Sequence, residues 1–517
     1  MTGSTVINQQ PQLGTVGKMP QHEAAASVAA LYKEHFGTAP DSLSMIAGAG
    51  SNRMYFRACS KGQRSVIATF GTDPAENRSF IYLARHFASL GLPVPDILAV
   101  SADDVAYLQS DLGDVSLFNA IAQSRQSGHF SVNNIGLLRA SLAMLARVQF
   151  IGSRDIDFNR CFPSPAMDDD MILSDLNYFK YCFLKTSGTE FDEARLASEF
   201  DRLHAVQAKR AATARQFMVR DFQSRNVMLT DGVPFLIDFQ GGRRGPVEYD
   251  VASFLWQAKA NIPADLRKGL VDDYISYVKT SFRDEFDENG FRDSLPYFVL
   301  FRMLQTLGAY GFRGLTERKP HFISSIPSAV HNLASWLKDS GLDRVFPYIT
   351  SLVSDLECSP LVSQISALNS VPELEERLTV TVSSFSYKRG VPVDLSGNGG
   401  GFAFDCRAIH NPGRYDEYKP LTGRDVPVIQ FIESNNEAAH FLSAAAQMVD
   451  ASVRRYSERS FTSLSVAFGC TGGRHRSVYC AEHMAHHIAE MFPEVRVVLW
   501  HREQDIMEIF NGVSAKK

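Results

Sequence analysis

The segment VRDFQSRNVMLTDGVPFLIDFQ, Val219–Gln240, decides how this chain reads. Val227–Leu229 is apolar, Asp231-Gly232 is a tight-turn dipeptide, and Val233–Phe239 is mostly apolar again, which predicts a two-residue β-hairpin. Counting back from the turn sets Asn226 roughly opposite Ile237 and Asp238. Residues facing each other across a hairpin lie about 5 Å apart. Oxygens from Asn226 and Asp238 can therefore share one Mg2+, whose ligands stand at about 2.0–2.1 Å. Asp221, on the loop just before, is then placed to accept a proton from a substrate hydroxyl. Metal on the phosphates with a carboxylate at the nucleophile is the division of labour that phosphoryl transfer needs. Taken singly, Asp221 reads as a turn residue, Asn226 as a cap and Asp238 as a solvated strand end; the conjunction on one hairpin carries the assignment.

Working outward, Gln21–Phe36 has helical period, with Val28, Leu31, Tyr32 and Phe36 on one face. Leu43–Ala47, Met54–Ala58 and Arg64–Phe70 read as strands of an antiparallel meander. Glu76–Leu90 reads as a helix stopped by Gly91 ahead of Pro93 and Pro95, and Asp96–Asp111 as strand again. From Leu117 to about Leu356 the period is helical apart from Met218–Phe239. Cys358-Ser359-Pro360 and Asn369-Ser370-Val371-Pro372 mark a linker over 357–378. Beyond it, TVTVSSFSY (Thr379–Tyr387), GFAFDCRAI (Gly401–Ile409), LSVAFGC (Leu464–Cys470) and a last stretch, Arg496–Trp500, read as strands. Leu395–Gly401 reads as a loop and Val478–Met491 as a helix.

At 517 residues the chain exceeds one core, and about 150 residues per domain suggests about three compact units. Hydrophobic content of 45% and charged content of 21% describe an ordinary globular protein, and a net charge of −5 provides no basic field for nucleic acid. Seven cysteines are scattered without a CxxC pair, which argues against a disulfide framework and a structural zinc site and fits a reducing compartment. Residues 1–20 read as a disordered tail without a targeting signal, and no run of 18 apolar residues occurs. A cytoplasmic location is expected.

The motifs RDFxSRNxM (Arg220–Met228) and IDFQGGRRGPVEYDVASFL (Ile237–Leu255) resemble the aminoglycoside-phosphotransferase superfamily. They are more closely similar to the bacterial N-acetylmuramate/N-acetylglucosamine kinases of cell-wall sugar recycling. The resemblance runs from roughly Ala47 to Tyr348. It implies an α+β bilobal protein-kinase-like fold over 21–356, with the N-lobe ending near residue 113 and a helical C-lobe after it. GAGSNRMYFR (Gly48–Arg57) falls at the phosphate-covering hairpin, making Gly50, Ser51, Asn52 and Arg53 nucleotide-binding, and SDLG (Ser110–Gly113) at the interlobe hinge. The same match makes Asp221 the catalytic base, Asn226 and Asp238 the Mg2+ ligands, and Asp250 a structural support of the catalytic loop, with ATP or GTP as co-substrate. Arg225, Gln223 and Gln240 are acceptor-side candidates by position. Two departures stand out. Val66–Phe70 lacks the lysine that kinases place on the third strand, for which Arg53 is the candidate substitute, and Val219 stands where His commonly precedes Arg-Asp.

After the linker, GCTGGRHRSVY (Gly469–Tyr479) follows an apolar strand and opens a helix. Glycines there let backbone N–H groups converge at a helix N-terminus, which suits a phosphate. Arg474, His475 and Arg476 add charge, and Thr471 and Ser477 add hydroxyls. Cys470 with Gly473, Arg476 and Ser477 fits the CxxGxxR[ST] pattern of cysteine phosphatases, in which the thiolate is the nucleophile. FSYKRGVPVD, FDCRAIHNP, PLTGRDVPV and GCTGGRHRSVYCAE together more closely resemble the C-terminal domain of the RNase adapter RapZ, over about 379–505. That resemblance implies a smaller α/β domain over 379–517 that binds the amino-sugar phosphate glucosamine-6-phosphate. Asp405, Arg407, Cys470, Thr471, Gly472, Gly473, His475 and Arg476 would line its pocket, with Ser477 beside them. The family binds a small RNA in some bacteria, which the charge balance of this region does not support. No GxxxxGK[ST] occurs in the chain.

The expected function is an ATP- or GTP-dependent phosphotransferase acting on a small amino sugar, fused to a sugar-phosphate-binding regulatory domain. The rival readings are a pseudokinase adapter that binds amino-sugar phosphate, and a Cys470 phosphatase.

Overall fold

The computed structural model describes residues 21–46, 53–369, 377–392 and 401–511. The expected tail, Gly50, Ser51, Asn52 and most of the Leu395–Gly401 loop lie outside these. No helix among the described residues is long and apolar enough to cross a membrane. The chain divides into two compact units rather than three. One runs to Ser174 and resumes over Phe200–Arg302; the other joins Asp175–Glu199 to Met303 and beyond.

In the first unit, α1 (Gln21–Phe36) lays Ala24, Val28, Leu31 and Tyr32 on a five-stranded antiparallel sheet. Its strands are β1 (Ser42–Ile46), β2 (Met54–Cys59), β3 (Val66–Phe70), β4 (Ile97–Val100) and β5 (Ala106–Ser110), in the order β1-β2-β3-β5-β4. The single strand expected over Asp96–Asp111 is thus a hairpin, turned at Asp104 with φ of 60°. Between β3 and β4 runs α2 (Pro74–Ser89), capped by the Asp73 carboxylate, which accepts from the amides of Ala75 and Glu76. At the expected hinge, Asp111 takes Arg57 Nε at 2.7 Å, Ser65 Oγ at 2.7 Å and Gly113 N at 2.9 Å. Below it, α3 (Val132–Phe150) packs on the hairpin of β6 (Val227–Thr230) and β7 (Val233–Leu236), and the wholly buried α4 (Val247–Leu255) packs against α3 and the short strand Phe217–Met218.

The second unit contains helices at Ile326–Asp339, Pro347–Glu357 and Pro360–Asn369. The last falls inside the span expected as a linker, and its Ile365 is buried. Pro360 opens that helix instead of breaking one, a position where proline's missing N–H is harmless. Glu199, itself buried, caps the Pro347–Glu357 helix by accepting Tyr348 N at 2.9 Å and Ile349 N at 2.8 Å.

A five-stranded mixed sheet follows, built from β8 (Thr379–Ser386), β9 (Phe402–Asp405), β10 (Ser463–Cys470), β11 (Arg496–His501) and β12 (Ile506–Phe510) in the order β9-β10-β8-β11-β12. The first four run parallel, and β12 adds antiparallel to β11. It extends the sheet past Arg496–Trp500, which had been expected to be the last strand. Helices Glu437–Glu458 and α5 (Arg476–Met491) bury Val449, Val453, Met484 and Ile488 against Val380, Val382, Val466 and Val497.

Candidate functional site

The β6–β7 turn is Asp231-Gly232, with φ of 51° and 78°, the left-handed pair that two-residue hairpins require. Val227 faces Leu236, and Ile237 N donates to Asn226 O at 3.0 Å, so Asp238 follows one residue past the pair. Asn226 Nδ2 donates to Asp238 Oδ2 at 3.3 Å and to the Asp221 carbonyl at 2.9 Å. The three residues singled out from the sequence therefore meet. With the amide hydrogens so used, the atom of Asn226 left to serve as a ligand is Oδ1. One amide oxygen and one carboxylate form a hard two-oxygen set, which suits Mg2+, an ion that keeps several waters and adds substrate phosphates. Among the described residues no group of three or more His, Cys, Asp or Glu is placed to hold a metal.

Asp238 has a φ of 60°, and Arg220, just before Asp221, one of 72°. Both are non-glycine residues in the left-handed region, a strain that persists where the surroundings over-determine it. Asp250 supplies that support at Arg220. Its buried carboxylate accepts Val219 N at 2.9 Å, Arg220 N at 2.8 Å and Gln149 Nε2 at 3.0 Å. Burial nevertheless pushes the Asp250 carboxyl up to about 7, against the pull of those donors and the Arg302 charge. The Asp238 carboxyl is also raised, first by burial and then by the Asp221 charge. Asp221 itself is half exposed; it accepts Gln223 Nε2 at 2.7 Å, and Arg302 Nη2 lies 3.6 Å away. Gln240 Nε2 donates to Asp238 Oδ1 at 2.8 Å. The acceptor-side candidates Gln223 and Gln240 thus serve the two carboxylates, while Arg225 lies over the Phe118 ring at 4.4 Å. Arg53 is buried.

In the second unit, the loop after β10 lies at the carboxyl ends of the parallel strands. Gly473 has a φ of 65°, and a Cβ there would stand 2.4 Å from Glu503 Cγ and 2.8 Å from Ser386 N, so both backbone and space demand glycine. Ser386 Oγ donates to Thr471 O at 2.7 Å, and Gln504 Nε2 to Gly473 O at 3.1 Å. Cys470 Sγ lies 3.1 Å from Ser477 Oγ. Burial pushes the Cys470 thiol up, but the hydroxyl and amide of Ser477 and the amides of Arg474 and Gly473 outweigh it and leave the thiol below its usual range. Thr471 and Gly472 are exposed. Asp405 faces Gly469 on the neighbouring strand and is bound bidentately by Arg407, which covers the Tyr387 ring at 4.3 Å. His475 and Arg476, expected to face a ligand, are buried and tied to main-chain carbonyls. His475 Nε2 is 2.9 Å from Tyr418 O, and Arg476 Nη1 donates to Arg407 O and Ile409 O at 2.9 Å each.

Several polar groups had no sequence signal. Gln149 and Arg302 sit on helices far along the chain from the loop they support. His501 is fully buried between Ser384 Oγ, 2.9 Å from Nδ1, and Glu482 Oε1, 3.0 Å from Nε2. Neither Ser384 nor His501 is exposed, so the trio is a packed polar network and not a reachable nucleophile.

Residues 42–286 match the family model described as phosphotransferase enzyme family, and residues 378–505 the model for the RapZ C-terminal domain. A nucleotide-binding protein of Xanthomonas axonopodis pv. citri (strain 306) is 40% identical over 131 residues, which is 25% of this chain and 44% of that protein. One of Stenotrophomonas maltophilia (strain R551-3) is 39% identical over 129 residues, 25% of this chain and 42% of that protein. The chain thus spans less than half the length of these curated relatives. Among solved structures it is similar to the amicoumacin kinase hAmiN, with a TM-score of 0.43 and 12% identity over 57% of this chain and 86% of that one. A choline/ethanolamine kinase family protein from Mesorhizobium loti gives 0.43 and 14% over 64% and 99%. Residues 42–286 thus form a domain that matches the phosphotransferase enzyme family, followed over residues 378–505 by one that matches the RapZ C-terminal domain.

Proposed function

We propose that the first domain transfers the γ-phosphoryl group of ATP or GTP to a hydroxyl of a small amino sugar, and that the second binds an amino-sugar phosphate and regulates the first. The observation that carries this is the meeting of Asn226 and Asp238 at 3.3 Å beside the Asp221 loop. Mg2+ bound by Asn226 Oδ1 and Asp238 would neutralise phosphate charge. Asp221, solvent-facing and oriented by Gln223, holds its carboxylate toward the acceptor hydroxyl and takes the proton as the new P–O bond forms. Gly50, Ser51, Asn52 and Arg53 belong to the nucleotide side. Turnover against N-acetylmuramate, N-acetylglucosamine and glucosamine tests the reading. Activity is expected to fall about a hundred- to a thousandfold in Asp221→Asn and in Asp238→Asn, on the scale of a lost charge-stabilising group. Turnover that survives both substitutions refutes it.

For the second domain, we place the ligand at Asp405, Arg407, Cys470, Thr471, Gly472, Gly473 and Ser477, with His475 and Arg476 supporting the loop through main-chain carbonyls. The opposite side of the phosphate chemistry has one specific observation in its favour, the lowered Cys470 thiol beside Ser477. A Cys470 phosphatase would hydrolyse an aryl phosphate and lose that activity in Cys470→Ser; no hydrolysis by the intact chain ends this second reading. The scattered cysteines support a cytoplasmic setting, and the acidic net charge gives RNA binding no support.

A further inference from the structure

One face of α2 packs on the metal-side segment, where Phe80 stacks on Phe239 with ring centroids 4.8 Å apart. The opposite face, with Arg78, Ile81, Tyr82 and Arg85 at three- and four-residue spacing, borders a cavity of about 480 Å3. Three arginines line it, Arg78, Arg85 and Arg160, against a single carboxylate, Asp104. Arg78 and Asp104 neutralise each other at 3.2 Å. Arg85 makes no hydrogen bond or ion pair among the described residues. Arg160, on the short turn Phe158–Arg160, lays its guanidinium 3.9 Å over the Tyr82 ring. That ring is itself held, since its hydroxyl accepts Asp157 N at 2.7 Å. Stacking fixes the plane of the guanidinium and leaves the N–H groups on its edge free to donate.

Two positive charges are therefore unspent in the cavity, beside an apolar wall of Ile81 and Val100. The volume lies within the range of small-molecule pockets, about 300–1,000 Å3. A phosphomonoester carries about −1.5 to −2 near neutral pH and offers three acceptor oxygens that match arginine forks. A carboxylate would leave one of the two charges unanswered.

We propose that this cavity binds a phosphorylated, ring-sized metabolite, a sugar phosphate or a nucleoside monophosphate, with Arg85 and Arg160 holding the phosphate. The site is separate from the hairpin centre and from the glycine-rich loop of the second unit, and it does not rest on the phosphotransferase reading. A phosphate that bridges Arg85 and Arg160 fastens α2 to the segment 158–162. The two already meet at Ser79, whose Oγ accepts Phe162 N at 3.2 Å and donates to Gln240 O at 3.3 Å. Occupancy should therefore be felt along the helix.

Hydrogen exchange of the full chain, without nucleoside triphosphate or Mg2+, tests this with four probes: glucosamine-6-phosphate, adenosine monophosphate, inorganic phosphate and unphosphorylated glucosamine. One or both of the first two should slow exchange over Pro74–Ser89 and residues 158–162, and the one that does so identifies the source of the phosphate. Glucosamine should leave these amides unchanged. Arg85→Gln combined with Arg160→Gln, both at exposed positions, should raise the ligand concentration for half-protection about tenfold or more, the range for lost charge-assisted contacts. Any protection of Gly469–Tyr479 in the second unit should be the same in both proteins. The proposal is overturned if neither phosphorylated ring protects α2, if glucosamine protects it equally, or if the double variant keeps the protection. It is also overturned if inorganic phosphate alone acts, the mark of an adventitious ion only. Should the double variant fail to fold, Arg85→Gln alone decides by the same comparison.

Discussion

Asp250 ties the stability of the first unit to pH. Its carboxyl sits at about 7 in the folded chain, pushed there by burial, whereas an unfolded aspartate titrates near 3.9. The folded state therefore holds a proton that the unfolded state has released, and stability falls as pH rises between about 4 and 7. Each unit of difference is worth about 1.4 kcal/mol, so the whole effect is about 4 kcal/mol and the portion between pH 5 and 7.5 about 2.5 kcal/mol. Asp250→Asn removes the titration and should flatten that portion of the curve. Trp256, at the end of α4 that carries Asp250, can report on this unit alone if Trp336 and Trp500 are replaced by phenylalanine. Urea midpoints would be read by Trp256 fluorescence at pH 5 and 7.5 in both proteins. The difference of differences cancels pH-independent costs of the substitution and should amount to about 1 M urea at a slope of about 2 kcal/mol per M. Equal pH dependence with and without the Asp250 carboxyl would refute the reasoning.

Neighbouring glycine pairs give controlled steric tests. In Gly242→Ala the new Cβ would stand 2.1 Å from Phe217 Cζ, whereas at Gly241 it meets nothing within 4 Å. The first should lower the Trp256 urea midpoint by the equivalent of about 1–3 kcal/mol, and the second should leave it within about 0.5 kcal/mol. Gly473→Ala combines left-handed strain of about 1–2 kcal/mol with the Glu503 contact and, on the proposed sugar-phosphate reading, should weaken amino-sugar-phosphate binding about tenfold in calorimetry. Gly472→Ala, whose Cβ meets nothing within 4 Å, should leave the unfolding midpoint within about 0.5 kcal/mol of wild type. Glu199→Gln replaces a carboxylate that caps two amides of the Pro347–Glu357 helix, and should cost about 1 kcal/mol by Trp336 fluorescence.

What the sequence made legible was local. The Asp231-Gly232 turn allows one register, so Asn226 and Asp238 could be placed together by counting, and the structure has them in contact. The α1 face, the first three strands and the β10–α5 crossing followed from periodicity and from a glycine-rich turn. What escaped depends on contacts between distant residues. The burial of Arg53 against Glu76 and Phe80 has no signal in the local sequence. The His501 network joins Ser384 and Glu482, which lie 117 and 19 residues away in the chain. Proline misled at Pro360, because the residue that ends helices also begins them. The edge strand β12 pairs with β11, and its run Ile506–Phe510 lacks the strict apolar–polar alternation that marks a half-buried strand.

The β6–β7 hairpin has a consequence in time as well as in space. The side chains of Asn226 and Asp238 that meet here are 12 residues apart in the chain, and a loop of about ten residues closes in about 10–100 ns, with hairpins forming in about 1–10 μs. The pair is therefore a contact of short sequence separation, closed by its own turn and held by the domain around it. Destabilising the surrounding domain should lower the fraction of molecules that carry the pair and leave its geometry unchanged in those that do. Lengthening the Asp231-Gly232 turn should do the reverse.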